Sequence, residues 1–246
     1  MLTDCLSCFE EVKMSRSSLG LMLLVLAWAA VSSKAGSITI VNPGFESPVL
    51  APGDRTGGMG LNVPVASGGP NVDVPGWTEA TPSDFGAGVF RPTTEFPGGG
   101  FGGLNVAYSD GDIFSQTLSA LLTPGIYTLS VLVGQRADVA RLPGETVDLL
   151  AGGNVLTPTS ASSPAPPVGG FALWTRTYDI TAGDPLLGQH LSINLGSSNP
   201  NSTAEVNFDN VTLSSSVPEP STLALGSVGA LILFGLAWLR RERTTA

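Results

Sequence analysis

Residues 126–133 read Ile-Tyr-Thr-Leu-Ser-Val-Leu-Val, and the predicted fold follows from this stretch. Every second side chain is large and apolar, at Tyr127, Leu129, Val131 and Val133. Side chains of a β-strand point alternately to opposite faces, so this pattern predicts a strand with one buried face. A turn signal, Pro124-Gly125, comes directly before it.

Several other stretches carry the same signals of strand structure. They are residues 37–41, 146–150, 174–180 and 191–195. Gly152-Gly153 lies between two apolar stretches, as a hairpin turn does. The chain of 246 residues contains 31 glycines and 19 prolines, which helices tolerate poorly. About eight to ten short strands without an amphipathic helix predict an all-β fold, an antiparallel β-sandwich of the jelly-roll type.

The strand that closes the predicted sandwich changes its alternation partway. Val206 and Phe208 share one parity, whereas Val211 and Leu213 share the other. One extra residue in a strand produces such a change, so a β-bulge is predicted at Asp209-Asn210. Bulges often turn a side chain toward a functional site.

Three Gly/Pro-rich stretches are too long for tight turns, namely residues 51–73, 96–103 and 157–170. We predict surface loops there, which either form a binding rim or move freely. Trp77 and Trp174 are predicted to pack in the core. The phenylalanines of the loops are predicted to pack those loops onto the sandwich.

The N-terminal end has the pattern of a secretory signal peptide. An uncharged run at residues 19–31 is followed by the small residues of Ser33-Lys34-Ala35. A basic start, a short apolar run and a small-residue cleavage site are typical of such peptides. Residues 1–35 are therefore predicted to be a leader and signal peptide, with an uncleaved membrane anchor as the alternative.

The first residues of this leader carry more acidic than basic side chains, which favours a translation start at Met14. Cys5 and Cys8 form a C-x-x-C motif that would suggest a redox or metal pair. Both cysteines precede the predicted cleavage site, so we assign the motif no role in the mature chain.

A second apolar run lies near the C-terminus, at residues 223–239, and Arg240, Arg241 and Arg243 follow it. As a helix the run would extend ~26 Å, enough for a thin bilayer. The positive-inside rule places the arginines in the cytoplasm. This pattern predicts a transmembrane helix with an arginine-rich tail.

Pro218, Glu219 and Pro220 stand just before this run, and the three parts together resemble the PEP-CTERM sorting signal. The same signal is also catalogued as an ice-binding protein C-terminal domain. The resemblance implies that residues 217–246 sort an exported bacterial protein, with Pro-Glu-Pro as the recognition element. The implied partner is an exosortase-type membrane transpeptidase. The protein would be anchored in the inner membrane before processing, and later lie at the cell surface or in the extracellular matrix.

The predicted body, residues 36–216, is acidic, with five arginines, no lysine and fifteen acidic residues. This charge excludes a nucleic-acid partner, which requires clustered positive charge. Carboxylates in a secreted protein can instead hold a hard cation such as Ca²⁺.

The two ends of the body carry a second resemblance. Asn42-Pro43-Gly44-Phe45-Glu46 opens it, and Val206-Asn207-Phe208-Asp209-Asn210-Val211 closes it. Both are similar to motifs of carbohydrate-binding modules and galactose-binding-like jelly rolls. The resemblance implies a structural calcium ion at Glu46 and Asp209. The alternative is that both carboxylates only accept hydrogen bonds from the nearby backbone.

Motifs for catalysis are absent from the sequence. His190, the one histidine, is predicted to lie on a polar strand face, and no G-x-S-x-G motif occurs. We therefore predict a non-enzymatic surface or matrix protein whose ligand-binding residues are unknown. One alternative is a carbohydrate-binding module for exopolysaccharide, and another is an exported glycan-active enzyme.

Overall fold

A computed structural model describes residues 34–79, 86–199 and 203–217, together with Gly229. The described residues from Lys34 to Val217 form one compact unit. Apart from Lys34, Ala35, Val217 and Gly229, the predicted signal peptide, the sorting region and the transmembrane helix 223–239 lie outside the described residues. Within the described part of the chain, no helix is long and apolar enough to cross a membrane.

Thirteen β-strands account for the regular structure of these residues. They are β1 (Lys34–Ile38), β2 (Thr78–Glu79), β3 (Ala87–Phe90), β4 (Val106–Ser109), β5 (Ile113–Leu121), β6 (Gly125–Gln135), β7 (Ala140–Arg141), β8 (Glu145–Ala151), β9 (Asn154–Val155), β10 (Ser160–Ser162), β11 (Gly170–Ile180), β12 (His190–Ser197) and β13 (Ala204–Val217).

These strands form two sheets. The larger has eight strands in the order β10-β11-β6-β13-β4-β3, with β1 and β7 also paired to β13. The smaller has five strands in the order β2-β5-β12-β8-β9. All pairings are antiparallel except that of β7 with β13. The predicted all-β antiparallel sandwich is confirmed.

The main core lies between the two sheets. From the larger sheet it receives the apolar face of β6 that the alternation predicted, and from the smaller sheet residues such as Phe114, Leu149 and Ile193. Trp77 is fully buried and Trp174 is 5% exposed, so the predicted core packing of both is confirmed. Trp77 packs against Phe45 and Phe114 with ring centroids 5.2 and 5.6 Å away.

The bulge in β13 and the turn after β8 were predicted correctly, whereas the range of the first strand and the extent of one loop were not. The pairing of β13 with β6 shifts register between Asp209 and Thr212, which confirms the bulge. A turn at Gly152-Gly153 joins β8 to β9, as predicted. The first strand runs over Lys34–Ile38 rather than residues 37–41. The stretch 157–170 is not all loop, because it contains β10, which pairs with β11.

Candidate active site

The outer face of the eight-stranded sheet carries polar side chains that are buried even though they point away from the main core. Glu205, Asn207 and Asp209 of β13 lie on this face, because Val206 and Phe208 between them point into the core. Glu205 is 5% exposed, and Asn207 and Asp209 are fully buried. Carboxylates are seldom buried without a specific role, so this face is the candidate site.

Glu205 forms an ion pair with Arg136, which follows β6. Nη1 of Arg136 donates to Oε2 of Glu205 at 3.1 Å. Asp138 holds the same guanidinium from the other side, accepting from Nε at 2.9 Å and from Nη2 at 2.6 Å. The guanidinium also lies 5.2 Å from the ring centroid of Phe90. These contacts fix one positive charge beside Glu205, whose pKa is nevertheless raised by burial.

Asp110 comes directly after β4, next to the strand that carries Glu205. Burial raises the pKa of Asp110 to about 7, and the negative charge of Glu205 adds to this increase. Arg55 and Arg136 act in the opposite direction. Two carboxyl groups that repel each other titrate as a pair, so near neutral pH the pair can keep a proton. A general acid needs this property.

Aromatic rings surround the charged groups. Tyr108 is 5% exposed, and its hydroxyl donates to the carbonyl oxygen of Thr56 at 2.6 Å. Burial raises the pKa of Tyr108, so its phenol is neutral. The guanidinium of Arg55 lies 5.8 Å from the Tyr108 ring centroid.

A second apolar cluster continues this aromatic surface. The ring of Phe96 lies 6.1 Å from that of Phe90, 5.7 Å from that of Phe101 and 4.7 Å from that of Phe171. Phe96 and Phe101 come from the stretch 96–103, so the predicted packing of loop phenylalanines onto the sandwich is confirmed for these two. The loop thereby forms an aromatic cover over one part of the outer face.

One row of residues crosses five strands at the centre of the face. Strand register places Gly88 opposite Tyr108, Tyr108 opposite Asn207, Asn207 opposite Gly134, and Gly134 opposite Phe171. Both glycines permit close contact with a ring. A Cβ at Gly88 would lie 2.7 Å from Cε1 of Tyr108, and a Cβ at Gly134 would collide with the Phe171 ring.

The two carboxylates predicted to hold calcium come together beside the loop that covers the face. Glu46 accepts from the backbone N–H groups of Leu104 and Asn105, and Asp209 from that of Gly102 at 2.6 Å. Burial raises the pKa of Asp209 to about 7, and the charge of Glu46 raises it further. Both carboxylates therefore accept hydrogen bonds from the nearby backbone, which was the alternative to a calcium site. The structure also brings Glu46 and Asp209 close together.

Oxygen atoms in this region fit a cation. The Oδ1 atom of Asn105 is buried without a hydrogen-bond partner, while its amide nitrogen donates to the carbonyl oxygens of Phe45 and Pro48. Among the described residues, no cluster of three or more His, Cys, Asp or Glu side chains is suited to a metal ion. A cation here would therefore combine two carboxylates with amide or carbonyl oxygens, a set that Ca²⁺ accepts.

Other predicted residues lie elsewhere. His190 is exposed, as predicted, and its Nδ1 lies 3.1 Å from the carbonyl oxygen of Leu118. The sorting residues Pro218, Glu219, Pro220, Arg240, Arg241 and Arg243 lie outside the described residues. The sequence analysis missed Asp110, Arg136, Glu205 and Asn207. A signal was present in β13, where polar residues at 205, 207 and 209 alternate with apolar ones.

The outer sheet face combines the buried carboxyl group of Glu205, the half-buried Asp110 and an aromatic cover, which are features of a site that transfers a proton. Residues 36–214 match the family model described as HpiC1 cyclase. The chain belongs to the HpiC1-like family. Residues 216–241 match the model of the PEP-CTERM protein-sorting motif, so the predicted sorting signal is confirmed. This motif implies export and processing by an exosortase.

Solved structures support the family assignment. The Stig cyclase Fisc from Fischerella sp. TAU, in complex with (3Z)-3-(1-methyl-2-pyrrolidinylidene)-3H-indole, is 30% identical, with a TM-score of 0.57 over 76% of this chain and 100% of that chain. A cyclase from the same source, in complex with 4-(1H-Indol-3-yl)butan-2-one, is 28% identical, with a TM-score of 0.54 over 75% of this chain and 99% of that chain. No curated protein matches the chain significantly.

The predicted likeness to carbohydrate-binding modules is also present among solved structures. The xylan-binding domain of Paenibacillus barcinonensis Xyn10C is 12% identical, with a TM-score of 0.38 over 66% of this chain and 92% of that chain. Nothing about function follows from a likeness at this level.

The prediction of a non-enzymatic protein is wrong. The family model and the Stig cyclase structures overturn it. The prediction failed because it required a histidine, a nucleophile motif or a spaced carboxylate pair. A buried carboxyl group can act as an acid without any of these.

Proposed function

We propose that the body is a cyclase for an unsaturated substrate that contains an indole-type ring, with Asp110 and Glu205 as the acid–base pair. The observation that carries the proposal is the placement of Glu205, which is buried and ion-paired with Arg136, on the same sheet face as the aromatic cover. Family membership supports a cyclase reaction, and the indole ligands named for the two Fischerella cyclases support the substrate class.

The proposed reaction is an isomerisation. The pair, holding one proton, donates it to an unsaturated carbon or to a ring nitrogen of the substrate. The protonated substrate is electrophilic, and a second double bond attacks it to close a ring. The resulting cation loses a proton to the carboxylate pair, so the proton is returned and no other reactant is consumed. Neighbouring aromatic faces stabilise positive charge in the substrate.

The fixed positive charge of Arg136 suits this role. It favours the ionised form of Glu205, whereas burial raises the pKa of the same group. Phe90 lies against the guanidinium, which shields the ion pair from water. A weaker acid would not donate, and a fully ionised one would have no proton to give.

Mass spectrometry tests the proposal directly. The purified full chain is incubated with a set of indoles that carry unsaturated side chains, and the expected product has the mass of its substrate but a different retention time. We expect Glu205→Gln to lower the rate by about 10²- to 10⁴-fold, as loss of a general acid does. Asp179→Asn, which changes an exposed acid of β11, is the matched control. Failure to isomerise or bind any member of the set contradicts the proposal.

We further propose that Glu46 and Asp209 hold a structural Ca²⁺ ion. Support comes from the convergence of the two carboxylates and from the unpartnered Oδ1 of Asn105. Such an ion would join the start of the body to β13 and to the covering loop at Gly102. Thermal unfolding with and without calcium tests it.

The location of the mature protein is also a proposal. We infer that it lies at the cell surface or in the extracellular matrix, among exopolysaccharide, after exosortase has processed the anchored form. The sorting motif supports this. The mass and location of the mature chain are compared in cells with and without the exosortase, and an unchanged mass and location contradict the inference.

A further inference from the structure

The first and last strands of the body lie side by side. β1 pairs with the end of β13 in antiparallel register, with Lys34 opposite Val217 and Ala35 opposite Ser216. The chain that precedes Lys34 and the chain that follows Val217 therefore leave the sandwich at the same end of the sheet. Two processing signals meet at this place, because residues 1–35 are the predicted signal peptide and the sorting motif is matched from Ser216 onward.

The predicted cut of the signal peptide falls inside this pairing. Cleavage hydrolyses the bond between Ala35 and Gly36, so that Ala35 leaves with a carboxylate and Gly36 becomes the new amino terminus. β1 then keeps its last three pairs with β13 and loses its first two. The two lost pairs are those that hold Ser216 and Val217, the first two residues of the matched motif.

The strand on the other side of β13 does not replace these pairs. The register of β6 with β13 ends at the pair of Ile126 with Ser216, one residue before Val217. Among the strand pairs of the described residues, Val217 has Lys34 as its partner and none in β6. A strand end with fewer paired neighbours opens more readily, so removal of the signal peptide frees Val217 and leaves Ser216 paired on one side.

We propose that removal of the signal peptide releases the start of the sorting motif, so that cleavage after Ala35 must precede efficient processing by the exosortase. A peptide-binding enzyme pairs with the backbone of an extended segment, and the segment before Pro218 cannot offer its backbone while β1 holds it. The exosortase then breaks a peptide bond near Pro-Glu-Pro. Water or the amine of an acceptor takes the acyl group, and the C-terminal segment leaves with the new amino group. The inference rests on both predicted cleavages and is independent of the cyclase reaction.

Ala35→Leu tests the order of the two events. A large residue at this position blocks a signal peptidase, which requires small residues before its cut, whereas leucine can still pair within β1. The variant and the wild-type full chain are expressed in cells that contain the exosortase, and mass spectrometry identifies their terminal peptides over time. We expect the wild-type chain to lose its signal peptide first. We expect the uncut variant to be processed at its C-terminus at least about tenfold more slowly, because the strand end must open first.

A second change separates the pairing of β1 from the mere presence of the signal peptide. Gly36→Pro and Ser37→Pro are added to Ala35→Leu. The N–H groups of neighbouring strand residues point to opposite edges, so one of the two prolines removes a donor that faces β13. We expect C-terminal processing to return to within about twofold of the wild-type rate, although the signal peptide is still attached. The matched control instead adds Ser160→Pro and Ala161→Pro in β10, an exposed edge strand of the same sheet, and should remain slow.

Amide hydrogen exchange measures the release without the exosortase. In cells that lack this enzyme, the wild-type chain is cut only after Ala35 and Ala35→Leu is not cut, and both are purified with their C-terminal segment. The amides of Ser216 and Val217 point to opposite edges of β13, so one of them faces β1. We expect that amide to exchange at least about tenfold faster in the cut chain. The amide of Val131 in β6 is the control and should exchange equally in both chains.

The outcomes separate this inference from the processing itself. Processing of uncut Ala35→Leu at the wild-type rate overturns the inference and leaves the sorting motif in place, and so does equal exchange at residues 216 and 217. Slow processing that the prolines do not restore assigns the delay to the attached signal peptide and also overturns it. A wild-type chain that is never cut after Ala35, or never processed at its C-terminus, overturns the predicted cleavage concerned as well. If Ala35→Leu does not fold, Ser33→Leu, which alters the other small residue of the cleavage site outside β1, takes its place.

Discussion

Replacing Asp209 by asparagine is expected to remove much of the pH dependence of stability. Asp209 is fully buried, and its pKa in the folded chain is about 7. In an unfolded chain an aspartate has a pKa of about 3.9. The folded state therefore holds the proton more tightly. This contribution is fully present below pH ~4 and is lost as the pH rises through 7.

The size of the effect follows from the two pKa values. Between pH 5 and pH 8, ionisation of Asp209 should lower the free energy of unfolding by roughly 2–3 kcal/mol in the absence of calcium. For a domain of this size, that corresponds to a fall in melting temperature of about 5–10 °C. Asp110 and Glu205 also have raised pKa values, so the measure is the difference between the wild-type chain and Asp209→Asn.

Calcium should reverse the effect, because the cation replaces the proton between Glu46 and Asp209. At pH 8, calcium at 100 times its dissociation constant would stabilise the wild-type chain by about 2.7 kcal/mol. It should stabilise less at pH 5, where protons compete, and hardly at all in Asp209→Asn.

The assay is thermal unfolding of the purified full chain at pH 5 and pH 8, with EGTA or with millimolar calcium. Asp179→Asn, which alters an exposed carboxylate of β11, is the control and should behave as the wild type. An equal pH dependence in the wild type and Asp209→Asn would refute the role of buried Asp209. An unchanged melting temperature at millimolar calcium would refute the metal site.

Three further predictions concern the site, the core and the sorting signal. Gly134→Ala should lower the free energy of unfolding by about 1–3 kcal/mol in denaturant unfolding, because the added methyl group displaces the ring of Phe171. It should also weaken indole binding, and unchanged binding would contradict a role of the aromatic cover in holding the substrate. Trp77→Ala, at a fully buried position, should cost about 3–5 kcal/mol by the same measurement, and a loss below 1 kcal/mol would contradict its place in the core. Glu219→Ala should leave the precursor unprocessed on immunoblots, whereas normal processing would contradict the Pro-Glu-Pro recognition element.

Much of the fold could be predicted because local alternation determines which strand face is buried. Eight consecutive residues of β6 alternate between apolar and polar faces, and a change of parity in β13 reveals its bulge. The strand β10 was missed because Ser160–Ser162 has no buried face to give an alternating pattern. All three of its residues are exposed.

The site could not be predicted in the same way, because strand register assembles it from distant parts of the chain. Asp110, Arg136 and Glu205 are separated by tens of residues, and each looks like an ordinary surface charge in the sequence. Only the folded outer face, where Glu205 is buried and Phe90 lies against Arg136, distinguishes them. A conserved short motif is unnecessary for this chemistry, since one buried carboxyl group with a raised pKa suffices.

The bulge in β13 explains how one strand serves both the core and the site. Glu205, Asn207 and Asp209 face outward at odd-numbered positions. A regular strand would continue this parity and place Val211 and Leu213 on the same outer face, among the polar groups. The register shift after Asp209 turns these two side chains into the core instead, where both are 1% exposed. Because one residue in this segment is extra, deleting Asn210 would leave a regular strand in which Val211 and Leu213 still face the core, so the bulge accommodates the added residue without changing the packing of either face.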